Sequence, residues 1–206
     1  IVKFFDNIGF DHIKTTLSNF GYTEQISRTL AYLFTRVDAK GLRTLPQGGV
    51  ASPFLANRVA ALFIDPVVRG CLPKGWIYKR YCDNLIIAPP YARGMCNNYW
   101  ELLKGIKSQV EGCSGFRVHK MGVRRHYQRQ KVLGLVLNEH ANVPRRYYDE
   151  VKAILHNVKG SSWEEQSGTF DVEYFKKKTI GRALYVIKNT SSPRARKIAT
   201  LLEEVF

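Results

Sequence analysis

LPQGGVASPFLAN, residues 45–57, sets a proline and two adjacent glycines just ahead of a Ser-Pro step and an apolar run. Gly48 and Gly49 let the backbone come close to a bound group, because no Cβ stands in the way. Ser52 then reads as a helix N-cap and Pro53 as the first helical residue. Leu55, Val59, Leu62 and Phe63 carry the helical spacing onward, and Pro66 marks its end. A helix that starts here aims its unsatisfied N–H groups back toward the glycine loop.

Downstream, RYCDNLIIA, residues 80–88, holds Asp83 and Asn84 between the β-prone runs 76–82 and 85–88. These two residues suit a two-residue hairpin turn, and a carboxylate at such a tip also suits a metal. From the residues alone both readings stand. Upstream, residues 1–5 are β-branched and aromatic and predict a strand, while 11–20 and 23–36 have helical spacing, the second through Ile26, Leu30, Leu33 and Phe34. Further on, 94–110 reads as a helix and 115–119 and 131–137 as strands, with a run of cations from Arg124 to Lys131 between them. Helical patterns then cover 144–158, 171–188 and 193–206, and a shift in composition near residue 140 separates a mixed α/β part from a helical tail.

The chain has 206 residues, of which 45% are hydrophobic, enough for a real core. Lys and Arg number 32 against 17 Asp and Glu, a formal charge of +15 that points first to a polyanionic partner. Cys71, Cys82, Cys96 and Cys113 are widely spaced, which disfavours a zinc knuckle and fits reduced, buried thiols in an intracellular protein. No apolar run reaches the length of a membrane span, so no membrane partner is expected.

Residues 45–57 are similar to the LPQG and QGGV-x-SP-x-LAN signature of reverse transcriptases, particularly those of group II introns, retrons and related bacterial systems. The likeness extends both ways. FFDNI (4–8) resembles the end of that family's first palm motif, RYCDN (80–84) its RYADD motif, and GFRVHK (115–120) the stretch ending in a lysine. KVLGLVLN (131–138) resembles the strand that grips the primer end. VPRRYYDEVKAILH (143–156) and IGRALYVIKNTSSPRARKI (180–198) resemble the thumb helices of retron-type enzymes.

The resemblance implies an α+β fold: a palm of antiparallel strands backed by helices over residues 1–140, then a helical thumb over 141–206, without the fingers that precede the palm in the family. It implies RNA-directed DNA polymerisation by two-metal nucleotidyl transfer, with Mg²⁺ as cofactor and Asp83 as a ligand. Asn84 stands where the family has a second aspartate, isosteric but neutral, with a carbonyl that can still serve as a ligand. Gln47 and Gly48 would meet the nucleotide, Phe5 would sit under the incoming sugar and exclude a 2′-hydroxyl, and Lys120 would face the pyrophosphate. The ordinary alternatives are a core aromatic for Phe5, a loop amide for Gln47 and a solvated lysine for Lys120.

Arg124, Arg125, Arg129 and Lys131 near the primer grip, with Arg145 and Arg146 in the thumb, are candidate phosphate contacts. The thumb cations Lys152, Lys176 to Lys178, Arg182, Arg194, Arg196 and Lys197 are open to the same test. Tyr147 and Tyr148 could stack on bases but read first as core. The implied partners are an RNA template and primer, or a structural RNA.

One departure is larger. The family's first-motif aspartate lies four residues before the first Phe of FFD, a position that falls immediately before Ile1. Two expectations follow. Either the chain is a fragment or split subunit, with fingers and that aspartate supplied from elsewhere, including another polypeptide, or it is an inactive remnant that binds RNA within a ribonucleoprotein.

Overall fold

The structure is a computed structural model that describes residues 1–90, 98–168, 171–190 and 193–205. Its contacts divide it into two compact units, Ile1–Val123 and Arg124–Phe206. Both are mainly helical with small antiparallel hairpins, so the chain is α+β. Among the described residues the strands form three separate two-stranded sheets rather than one.

The first unit opens differently from the strand expected over residues 1–5. Lys3 takes a left-handed φ of 41°, and Phe5–Asn7 close a single 3₁₀ turn. Extended pairing therefore stops after Val2, whose N–H donates to the Arg117 carbonyl at 2.9 Å. The segment 115–119 forms no strand either, since the next available N–H, that of Val118, donates to the Glu111 carboxylate at 3.0 Å instead of to a ladder.

Helices α1 (Phe10–Asn19) and α2 (Glu24–Phe34) follow, the second capped by the Thr23 hydroxyl. They meet through small groups: Ser27 and Ala31 are buried, and the Ser18 and Ser27 hydroxyls lie 3.2 Å apart. Of the apolar series that marks α2, Leu30 and Phe34 pack against the core, while Ile26 and Leu33 are exposed. Strands β1 (Arg36–Val37) and β2 (Arg43–Thr44) form a short hairpin that leads into the glycine loop.

Helix α3 spans Ser52–Phe63 and α4 spans Asp65–Cys71, each with proline in its first turn. The cap of α3 is Ala51, one residue earlier than expected. Its cause is a turn in which the Ser52 N–H donates to the Gly49 carbonyl at 3.0 Å, so that Ala51 is already helical. Strands β3 (Ile77–Tyr81) and β4 (Asn84–Ala88) pair in register from Ile77↔Ala88 to Tyr81↔Asn84. Helix α5 (Tyr99–Ser114) realises the expected 94–110 helix, whose residues 94–97 lie outside the described residues. Phe4, Ile8, Ile13, Val59, Ile64, Val110 and Phe116 pack the core of this unit.

In the second unit the expected strand 131–137 is a hairpin, β5 (Lys131–Val132) with β6 (Leu135–Val136). Leu133 and Gly134 between them both have positive φ, 49° and 91°, the geometry of a tight two-residue turn. Helices α6 (Arg145–Gly160), α7 (Trp163–Ser167), α8 (Val172–Asn189) and α9 (Pro193–Glu203) complete it. Val151, Leu155, Ala183, Val186 and Ile198 are its core. Tyr148 is buried there, as expected, while Tyr147 is partly buried under the Arg182 guanidinium, 5.0 Å from its ring centre. No helix among the described residues is long and apolar enough to cross a membrane. Cys71 and Cys82 are half-buried free thiols, but Cys113 is exposed on α5, and Cys96 lies outside the described residues.

Candidate active site

Three stretches far apart in sequence line one cleft of about 340 Å³ in the first unit: Lys3, Phe4 and Phe5; Gln47, Gly48, Ser52 and Pro53; and Cys82 with Asp83. Each arrives by a local cause. The 3₁₀ turn buries Phe4 against Phe116, ring centres 5.7 Å apart, and leaves Phe5 half-buried on the cleft side. Phe5 meets Phe4 edge to face at 5.7 Å.

The glycine loop forms the second wall. Gly48 has φ 86°, a conformation that side chains resist, and a Cβ built on Gly49 would stand 2.6 Å from the Ser52 hydroxyl oxygen. Glycine thus suits both positions: at Gly48 for its backbone angle, and at Gly49 because a side chain would force the buried Ser52 hydroxyl to move. Gln47 is exposed at the cleft, whereas Ser52 is buried at its base.

The third wall is the β3–β4 turn. Because Tyr81 pairs with Asn84, the two-residue loop is Cys82–Asp83, and Asn84 is the first residue of β4. This shifts the expected Asp83-Asn84 turn by one residue. Its reason is backbone geometry: Cys82 carries the positive φ, 52°, that such a loop needs in its first position. Asp83 is half-buried, and the Asn84 amide donates to its Oδ1 at 3.2 Å. The Ile1 nitrogen donates to the Asp83 carbonyl oxygen at 2.9 Å, which ties the first stretch directly to the turn.

Beneath the turn lies a polar cluster that the sequence did not announce. Tyr78 and Arg80, two apart and so on one face of β3, both reach Asp65 at the start of α4. Arg80 Nε and Nη2 donate to the two Asp65 oxygens at 2.7 and 3.0 Å, and the Tyr78 hydroxyl donates to Oδ1 at 2.8 Å. Burial, helped by the Asp65 carboxylate, pushes the Tyr78 hydroxyl far above its usual range. For Arg80, burial works to lower the pKa, but hydrogen bonding and the charge of Asp65 outweigh it and the net shift is upward. Tyr78 therefore stays a neutral donor and Arg80 a fixed cation.

The remaining expected site residues are placed elsewhere. Lys120 is exposed in the irregular segment after α5 and does not line the cleft. Arg124, Arg125, Arg129, Lys131, Arg145 and Arg146 belong to the second unit and are exposed. Arg145 and Arg146 make loose pairs one helical turn on, with Asp149 at 3.5 Å and Glu150 at 3.1 Å, of the solvent-screened kind that a phosphate can displace. Lys3, Phe4, Ser52, Pro53 and Cys82 also line the cleft, although the sequence assigned none of them a role in the site.

Among the described residues no three His, Cys, Asp or Glu side chains gather closely enough to hold a metal. The cleft itself offers one carboxylate, Asp83. Mg²⁺ is usually held by one or two carboxylates together with substrate phosphates, so Asp83 fits as one ligand of such an ion.

No protein-family model matches the chain. Curated relatives do, among them two retron reverse transcriptases. The Retron Mx162 reverse transcriptase of Myxococcus xanthus is 31% identical over 200 aligned residues, covering 80% of this chain and 41% of the relative. The Retron Ec86 reverse transcriptase of Escherichia coli is 27% identical over 157 residues, covering 75% of this chain and 46% of the relative. The chain spans less than half the length of either.

Proposed function

The chain belongs to the retron-type reverse transcriptase family, and on that premise we propose that it supplies the palm and thumb of an RNA-directed DNA polymerase. One observation carries the reading: Phe5, Gln47, Gly48 and Asp83, from three separate motifs, line a single cleft. A cleft lined by aromatic rings, a glycine loop and one carboxylate suits a nucleotide whose sugar, amide-bonding edge and phosphates need different neighbours.

In this reading Phe5 bears on the sugar, the Gln47 amide orients the nucleotide, and the Gly48 backbone permits its close approach. Asp83 would hold Mg²⁺. When bound, that ion supplies charge stabilisation at the attacking and leaving oxygens. The Ile1 nitrogen bonds to the Asp83 carbonyl, so a residue joined to Ile1 would stand beside the turn, where the family's first-motif aspartate is expected. A separate polypeptide carrying fingers would serve the same assembly. The exposed cations of the second unit would hold the phosphates of template and primer, and Lys120 those of the product. The palm is assigned to residues 1–140 and the thumb to 141–206.

A second reading is favoured by the neutral Asn84 and the single cleft carboxylate: a reverse-transcriptase-derived subunit that binds RNA without polymerising. Primer extension on an RNA template with Mg²⁺ separates the two. In the complete polypeptide, Asp83→Asn should lower extension by about 10²-fold or more, the scale on which one lost electrostatic stabiliser acts. Equal extension by both proteins removes Asp83 from the mechanism, and RNA binding with no extension by either favours the second reading.

A further inference from the structure

We infer that Arg80 is the positioning residue of this site: through Asp65, Asn57 and Cys82 it fixes where Asp83 stands over the cleft. The inference rests on the polymerase reading of the cleft. Its basis is how the guanidinium spends its donors. Two N–H groups satisfy Asp65, which would suffice to staple β3 to α4. The others go toward the site: Nη2 also donates to the Asn57 carbonyl in α3 at 3.1 Å, and Nη1 to the Cys82 carbonyl in the turn at 3.3 Å.

That last bond acts directly on Asp83. The Cys82 carbonyl and the Asp83 N–H share one planar peptide, so holding the oxygen orients the plane from which Asp83 departs. The next plane, between Asp83 and Asn84, is held at its oxygen by the Ile1 nitrogen at 2.9 Å. Both peptides that flank the carboxylate are therefore pinned, one of them by Arg80. Its contact with Asn57 reaches the helix whose first turn, at Ser52 and Pro53, forms the facing wall of the cleft. Arg80 thus ties the metal-side turn to the nucleotide-side loop.

The brace is also rigid. The Arg80 side chain is 6% exposed and that of Asp65 17% exposed, so water scarcely competes for these bonds. A planar fork with several fixed donors can bridge three partners at once; a lysine in its place keeps the charge but has a single point of attachment. Arg80 acts through Cys82 and touches no reacting atom.

The test compares Arg80→Lys with the native complete polypeptide. We expect turnover in primer extension to fall by about 10²-fold, the cost of displacing a reacting group by about an ångström, with the nucleotide KM within about twofold. The Mg²⁺ concentration for half-maximal rate should rise several-fold. Hydrogen exchange should quicken at residues 82–84 and stay unchanged along the strands on either side. Asp65→Asn, which keeps the side-chain volume and leaves Arg80 in place, should shift each readout the same way by less, and it serves if Arg80→Lys does not fold. The inference is overturned if turnover falls only in proportion to the folded fraction, with Mg²⁺ dependence and exchange at 82–84 unmoved. If Asp83→Asn is inactive while Arg80→Lys matches the native protein, positioning by Arg80 fails and the polymerase reading stands. If Asp83→Asn is fully active, the polymerase reading fails, and the exchange at 82–84 still decides whether Arg80 holds the turn.

Discussion

The side-chain amide of Asn84 donates to Oδ1 of Asp83 at 3.2 Å, so the neutral residue at the start of β4 occupies one oxygen of the cleft carboxylate. A cation that used both oxygens of Asp83 would share Oδ1 with this donor. Asn84→Asp removes the donor and adds a second negative charge beside the first. Without metal, two adjacent carboxylates repel and each is harder to ionise. With metal the sign reverses, because the extra charge and oxygen favour a divalent cation. We expect Asn84→Asp to lower the Mg²⁺ concentration for half-maximal primer extension and to lower the thermal midpoint in chelator. An unchanged Mg²⁺ requirement would show that Asn84 lies outside the ion's reach.

Phe5 is the second cleft residue whose replacement gives a directional result. It is half-buried, held edge to face against the buried Phe4, and one side lines the cleft. Phe4 makes the buried contact with Phe116, while Phe5 packs on the core only from its margin, so shortening Phe5 leaves the fully buried residues in place. Phe5→Val in the complete polypeptide should raise ribonucleotide incorporation by about 10- to 100-fold, the range over which pocket sterics discriminate. Deoxyribonucleotide use should change little. Incorporation assays with each sugar measure this directly, and unaltered selectivity would leave Phe5 a packing residue.

The contrast between these two residues and Arg80 shows what the sequence made legible. Asp83 and Phe5 sit in motifs whose local chemistry is visible: small polar residues between alternating runs, and paired aromatics before an acid. The one-residue shift of the turn was not visible, because it depends on Cys82 accepting a positive φ, which its residue type does not favour. Residues 1–5 read as a strand on composition, yet a strand needs a partner ladder. Here Ile1 and Val2 spend their N–H groups on Asp83 and Arg117, and Lys3 then turns away. The Arg80 cluster joins residues 15 and 23 positions apart, a relation with no local period. Likewise KVLGLVL shows a continuous apolar run, and only the backbone at Leu133 and Gly134 reveals a hairpin.

His12 provides a pH dependence with a definite sign. Its Nδ1 accepts from the Gly9 N–H at 3.1 Å, and its ring stacks on Phe116 at 5.2 Å. Burial lowers its pKa from the ordinary 6.5, while the charge of Asp11 pulls weakly the other way. A protonated Nδ1 could no longer accept from Gly9, so the folded unit resists the proton that the unfolded chain takes up. Stability from this group is therefore complete above about pH 6.5, declines as pH falls below it, and stops declining once the folded imidazole is itself protonated. His12→Asn keeps an acceptor for Gly9 and removes the titration. Between about pH 8 and about pH 5 the thermal midpoint of the native protein should fall further than that of His12→Asn, since the other charges of this basic chain respond alike in both. Parallel curves would mean that His12 protonates as readily in the folded unit as in the unfolded chain.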